Sequence, residues 1–246
     1  MKKLHLTLML AAMSLTMQAQ YRSQVWCPDN GDGTYTNPII SADYSDPDIC
    51  VGASGEDFYM TASSFPCAPG LPVLHSKDLV NWQIIGHALR EQTPYEVFNQ
   101  PAHGMGVWAP SIRYHNGEYY IYWGDPDYGV YMVKTKNPAG RWDDPVLVIP
   151  GKGMIDTCPL WDEDGRCYLA YAYAGSRSGI KSVLSVRELS PDGTKPIGDP
   201  VLVFDGNNVH HTAEGAKFYK HNGYYWIMCP AGGVATGWQL AMRSKS

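Results

Sequence analysis

Apolar and polar residues alternate along this chain in short bursts, with almost none of the three-and-four spacing of an amphipathic helix. The bursts recur in a fixed form. GEDFYMTA begins at Gly55, GEYYIYW at Gly117, GRCYLAY at Gly165 and GYYWIMC at Gly223, and each follows a short apolar run: DICV, SIRY, PLW and AKFY. Asn-Gly or Asp-Gly stands at three of the four turns, the dipeptides that suit a tight hairpin. The pattern is strand, polar turn, strand, four times over. LPVLHSKDLVNW, GVYMVKTKNPAGRW and SVLSVRELS supply further strands between the hairpins. Repeats of roughly 50 residues, each a small antiparallel sheet, predict an all-β chain folded as a β-propeller.

Composition narrows the setting. The 246 residues are 44% hydrophobic and 17% charged, which supplies an ordinary globular core. With 17 Tyr and 8 Trp against 5 Phe, the aromatics carry polar handles suited to half-buried strands and concave binding surfaces. The opening MKKLHLTLMLAAMSLTMQAQ reads as a secretory signal peptide over residues 1–19, cut after Ala19. Residues 20–36 then form a lead-in, and residues 37–246 the propeller. Loss of Lys2 and Lys3 takes the net charge from −5 to −7. An acidic exported chain, secreted or periplasmic, is a poor partner for nucleic acid or an anionic membrane, and no later run is long enough to span a bilayer. Among the six cysteines, Cys50, Cys167 and Cys229 lie in apolar runs and read as buried thiols. No CxxC or other metal-ligand spacing occurs, so no metal site is assigned.

A count of nine residues back from each turn glycine reaches Asp46, Trp108, Asp156 and Glu214. Four equivalent positions thus hold three carboxylates and a tryptophan, each at the start of a blade's first strand. In a propeller that strand lies nearest the axis, so the four side chains are expected to converge on one axial pocket. Carboxylates brought together raise one another's pKa, which costs stability unless they serve a reaction. Asp43 and Asp48 fall off the register and are expected in turn and strand-cap roles. Asp162, Glu163 and Asp164 read as a solvated hairpin tip, and Asp125 and Asp127 as loop. Three carboxylates in an aromatic-lined pocket could bind calcium or hydrolyse a glycoside. The export signal, the acidic charge and the aromatics favour hydrolysis, and no DxDxDG loop is present.

NPIISADYSDPDIC, ASSFPCAPGLPVLHSKDLVNW, GVWAPSIRYHNGEYYI, MIDTCPLWDEDGRCYLAYA and AEGAKFYKHNGYYWIM, taken in order, closely resemble glycoside hydrolase family 43 and cover almost all of residues 37–246. The resemblance implies a five-bladed β-propeller, of which about four blades are present here, and an inverting mechanism. It implies Asp46 as the general base, Glu214 as the general acid, and Asp156 as the carboxylate that orients and tunes the acid. Trp108 and Phe65 fall where the family lines its sugar pocket. The resemblance also implies that further blade residues lie beyond GWQLAMRSKS, as in a C-terminally truncated chain. They would include a histidine that some members use at a calcium site; no cofactor is required for the reaction. The SSFPCAPGLPVLHSKDLVNW segment is most similar to the β-xylosidase branch. The expected substrates are therefore xylan-derived oligosaccharides, with α-L-arabinofuranosidase as the alternative and a non-catalytic glycan-binding propeller as the competing class.

Overall fold

The computed structural model describes residue 23 and residues 25–66, 70–101 and 103–246; the expected signal peptide and Cys67 lie outside them. Residues up to Ser41 form one compact unit and Ala42–Ser246 a second. In the first, an Asp29–Tyr35 bridge closes a turn in which Asp29 and Asp32 accept backbone N–H groups from Gly31 and Thr34.

The second unit is all-β, with four antiparallel sheets strung along the chain in a four-bladed propeller arrangement. Blade 1 comprises β1 (Asp48–Val51), β2 (Phe58–Thr61), β3 (Gly70–Ser76) and β4 (Gln83–Leu89). Blade 2 comprises β5 (Ser111–His115), β6 (Glu118–Asp125), β7 (Gly129–Thr135) and β8 (Val146–Pro150). Blade 3 comprises β9 (Met154–Trp161), β10 (Cys167–Tyr173), β11 (Val183–Leu189) and β12 (Pro196–Asp205). Blade 4 comprises β13 (Lys217–His221), β14 (Tyr224–Ala231) and β15 (Trp238–Ser244). Among the described residues the only helices are single turns, as the absence of helical periodicity requires.

The hairpins form where the turn dipeptides allow. Asn116-Gly117 and Asn222-Gly223 hold φ of 46° and 83°, and of 51° and 73°, the left-handed pair that joins two twisted strands through two residues. The Asp164-Gly165 hairpin differs. Its loop is longer, closed by Asp162 N–H to Arg166 O at 2.8 Å and Gly165 N–H to Asp162 O at 3.0 Å, and only the glycine is left-handed.

Each blade pair encloses its own core. Along β6, Tyr119, Ile121 and Trp123 face the core shared with blade 1, while Tyr120 and Tyr122 face the core shared with blade 3. Burial on both faces explains why this strand is a continuous aromatic run rather than an alternation. Trp123 stacks on Tyr131 at 5.5 Å in the first core, and burying each such side chain contributes roughly 1.5–3 kcal/mol. Cys50, Cys158, Cys167 and Cys229 are buried within these cores as thiols, and burial pushes Cys50 and Cys167 up to about 12.

The first strands of successive blades touch: β1 meets β5, β5 meets β9, and β9 meets β13. Around that axis the structure corrects two expectations. Asp48 is not a strand cap. It is 4% exposed, and its Oδ2 accepts from Ile112 N–H at 2.8 Å and Arg113 Nη1 at 2.6 Å. Asp162 is not a solvated hairpin tip either. At 8% exposure it takes Lys220 Nζ and the Tyr225 hydroxyl from blade 4 and so fastens blade 3 to its neighbour. A buried carboxylate persists only when paired, and the partners come from blades far along the sequence.

Candidate active site

The four register positions do meet. A cavity of about 800 Å³ is lined by Asp46, Asp156 and Glu214 together with Phe65 and Trp108, so all five sequence-derived positions face one space. All but Phe65 stand at the head of an innermost strand. Asp46 lies two residues before β1, Trp108 three before β5 and Glu214 three before β13, while Asp156 is the third residue of β9.

The backbone is bent at the site. Asp46 has φ of 51° and Asp156 of 58°, conformations that aspartate tolerates better than most side chains. Asp156 sits on a β-bulge: Ile155 pairs with Ala172 and Cys158 with Ala170, so Asp156 and Thr157 together oppose Tyr171. The extra residue re-aims a side chain that would otherwise follow the strand alternation. The aromatic wall is fixed by a second device. Ser64 and Val107 form a bridge, and Gly104 and Gly106 donate N–H groups to Phe65 O at 3.1 and 3.0 Å. This close approach needs glycine, because a Cβ at position 106 would lie 2.2 Å from Ser64 O. The Trp108 indole N–H is satisfied by Gly104 O at 2.8 Å, which leaves the ring to line the cavity.

The three carboxylates have unlike surroundings. Asp46 is exposed, and its Oδ2 accepts from the Ser45 and Ser63 hydroxyls at 2.7 and 2.8 Å. Ser63 Oγ in turn accepts the Ala109 N–H at 2.8 Å, tying the Asp46 segment to the residue after Trp108. Asp156 is only 9% exposed. Burial pushes it up to about 7, with the charges of Glu214 and Asp46 adding to the effect, while the Gly215 N–H at 2.7 Å and Lys217 oppose it. Glu214 is half-buried and also raised, first by burial and then by Asp46. Burial is thus the first cause of the upward shift in both, and Asp156 is the more enclosed of the two. Among the described residues no three His, Cys, Asp or Glu side chains gather closely enough to share a metal ion, so the carboxylates line the cavity without converging on a point.

A profile of the glycosyl hydrolases family 43 matches residues 35–246. The chain belongs to glycoside hydrolase family 43. It is 40% identical over 224 residues to a putative β-xylosidase of Xylanibacter ruminicola, covering 89% of this chain and 39% of that protein. It is 37% identical over 220 residues to the non-reducing end α-L-arabinofuranosidase BoGH43B of Bacteroides ovatus, covering 87% of this chain and 39% of that one. Among solved structures, the GH43B protein of a Bacteroides ovatus xyloglucan locus superposes with a TM-score of 0.71 at 34% identity, over 85% of this chain and 40% of that one. The chain thus spans about two-fifths of the length of these family 43 relatives.

Other lining residues were not singled out in the sequence. Lys217, Tyr173 and Tyr219 also face the cavity, and Ser63 supports Asp46 from behind. Lys217 had one available signal: it stands three residues after Glu214, as Ser111 stands three after Trp108. Asp125 and Asp127 line a separate cavity of about 50 Å³ that shares Trp108 with the larger one. Asp125 ends β6 and caps the next turn, accepting from Asp127 and Tyr128 N–H at 2.9 and 3.1 Å.

Proposed function

We propose that the full-length protein is an inverting exo-glycosidase that releases xylose from xylan-derived oligosaccharides. The observation that supports this is the gathering of three carboxylates, from equivalent positions of three blades, around one aromatic-walled cavity. Asp46 is the general base. Its Oδ2 is held by two hydroxyls, and Oδ1 takes the proton of a water as the water oxygen bonds to the anomeric carbon. Glu214 is the general acid, giving its proton to the departing glycosidic oxygen as the old bond breaks. Asp156 accepts the Gly215 N–H and so holds the segment that carries Glu214, orienting the acid. An inverting enzyme keeps its acid and base roughly 6.5–9.5 Å apart to admit the water. Carboxylates carried at the heads of different blades around one cavity suit that requirement. Phe65 and Trp108 wall the sugar at the non-reducing end.

The α-L-arabinofuranosidase reading draws on the Bacteroides ovatus relative, which bears that name. Incubating the full-length protein with aryl β-xyloside and aryl α-L-arabinofuranoside separates the two, with release from the xyloside expected to dominate. Binding of oligosaccharides without cleavage of any would instead indicate a glycan-binding propeller. The family resemblance also supports a five-bladed propeller for the whole protein, and residues 1–19 support export to the periplasm or medium.

A further inference from the structure

Beneath the cavity floor, one ammonium is held entirely by oxygen. Lys217 Nζ lies 3.2 Å from Pro110 O, 3.2 Å from Ser111 Oγ and 3.6 Å from Asp48 Oδ1. Its side chain is 23% exposed, so the charge is partly withdrawn from water while still lining the cavity. The contacts continue into blade 3. Ser111 Oγ accepts from Lys217 and donates to Thr157 O at 2.5 Å, on the bulge that carries Asp156. Asp156 Oδ2 accepts the Gly215 N–H, two residues before Lys217, and so closes a circuit through blades 2, 3 and 4. Asp48 adds blade 1.

The four strand-head residues of the site each stand close in sequence to a member of this circuit. Asp46 is two residues from Asp48, Trp108 two from Pro110, Asp156 adjacent to Thr157, and Glu214 three from Lys217. We propose that Lys217 is a positioning residue: its ammonium, clamped by the oxygens of blades 1 and 2, fixes the four strand heads relative to one another and sets the charge beside the Asp156–Glu214 pair. This rests on the glycosidase reading above. The titratable and charged groups facing the pair are Asp46, Lys217, Lys181, Tyr173 and Tyr219, with Asp48 and Arg113 below. Of these, Lys217 is the cation built into the floor; Lys181 is exposed. Packing alone does not explain the arrangement, because a methionine would fill the same space without ordering Ser111 or adding a second cation beside Asp48.

The test compares K217M, K217R and S111A in the full-length protein. Loss of the ammonium is expected to lower kcat on aryl β-xyloside by about 10–100-fold with KM changed less than about threefold, the signature of lost alignment in the transition state. Without the cation Asp156 holds its proton more tightly, so the alkaline limb of the kcat profile should move up by about half a pH unit or more. K217R should recover part of kcat and restore the limb. S111A, which breaks the relay but keeps the charge, should lower kcat without moving the limb; it also serves if K217M does not fold. The ¹³C carboxyl resonance of Asp156, assigned by its loss in D156N, should titrate higher in K217M than in the parent, and this reads the charge effect without turnover. A K217M enzyme with parental kcat, limb and Asp156 titration, altered only in Tm, overturns the proposal. A folded parent that cleaves neither glycoside overturns the glycosidase reading instead, and the Asp156 titration then still decides the role of Lys217.

Discussion

Asp46 and Asp48 are separated by a single proline and serve opposite ends. Asp46 stands at the rim, exposed, with one oxygen held by two serine hydroxyls and no cation beside it among the described contacts. Asp48, one turn of the strand pleat deeper, is enclosed and takes a guanidinium, a backbone N–H and an ammonium from two other blades. Asp48 opens β1, whereas Asp46 precedes the strand on a left-handed backbone, and that bend separates their surroundings. A carboxylate near the open end keeps the freedom to accept a proton. The same group a few ångströms inward becomes a structural tie, because burial leaves it no alternative to full pairing. The same division runs through the whole unit: side chains at the strand heads face the cavity, and those below hold the blades together.

The largest expected effect tests the rim. D46N and E214Q should each lower kcat on the cleaved glycoside by about 10²–10⁴-fold, the range for loss of a general base or acid, with Tm unchanged within about 2 °C. Asparagine tolerates the left-handed backbone at position 46, so the substitution isolates chemistry from folding. A D46N enzyme with full turnover would remove Asp46 from the reaction.

The deeper residue should behave in reverse. D48A leaves the Arg113 guanidinium buried without its carboxylate and should cost about 3–5 kcal/mol in urea unfolding. A loss under about 1 kcal/mol would show that Asp48 is no tie. Asp156 shares both characters, being buried yet facing the cavity. Its folded pKa of about 7 lies above its ordinary value, so its stabilising share is complete below about pH 4 and is lost as pH rises through 7. D156N removes that dependence. Relative to the parent it should gain on the order of 4 kcal/mol between pH 4 and pH 8, measured by denaturation at each pH. The smallest effect lies in the β13–β14 turn. Gly223→Ala at a φ of 73° should cost about 1 kcal/mol while activity holds, showing that hairpin geometry and chemistry are separable.

The sequence made the strand heads legible because hairpin geometry is local. A turn glycine and a fixed count of residues pick out Asp46, Trp108, Asp156 and Glu214, although the loops of blades 1 and 3 take up more of that interval than the two-residue turns of blades 2 and 4. The ties were not legible. Nothing near Asp48 in sequence announces Arg113 or Lys217, and nothing near Asp162 announces Tyr225, because each pair is created only when separate blades pack. Lys217 illustrates the limit. Within AKFYK it reads as the polar start of an apolar strand, and its oxygen cage draws on two other blades.

The bond between Asp48 and Lys217 gives the molecule a calendar. On a chain emerging from the ribosome, Asp48 can meet Arg113 once the second blade is made, but it waits for the fourth before Lys217 exists. Until then Asp46 and Asp156 have neither Glu214 nor the Lys217 ammonium in the same cavity. The ring of strand heads is therefore completed only with the fourth blade, after the first two inter-blade cores have given the nascent chain something to fold around.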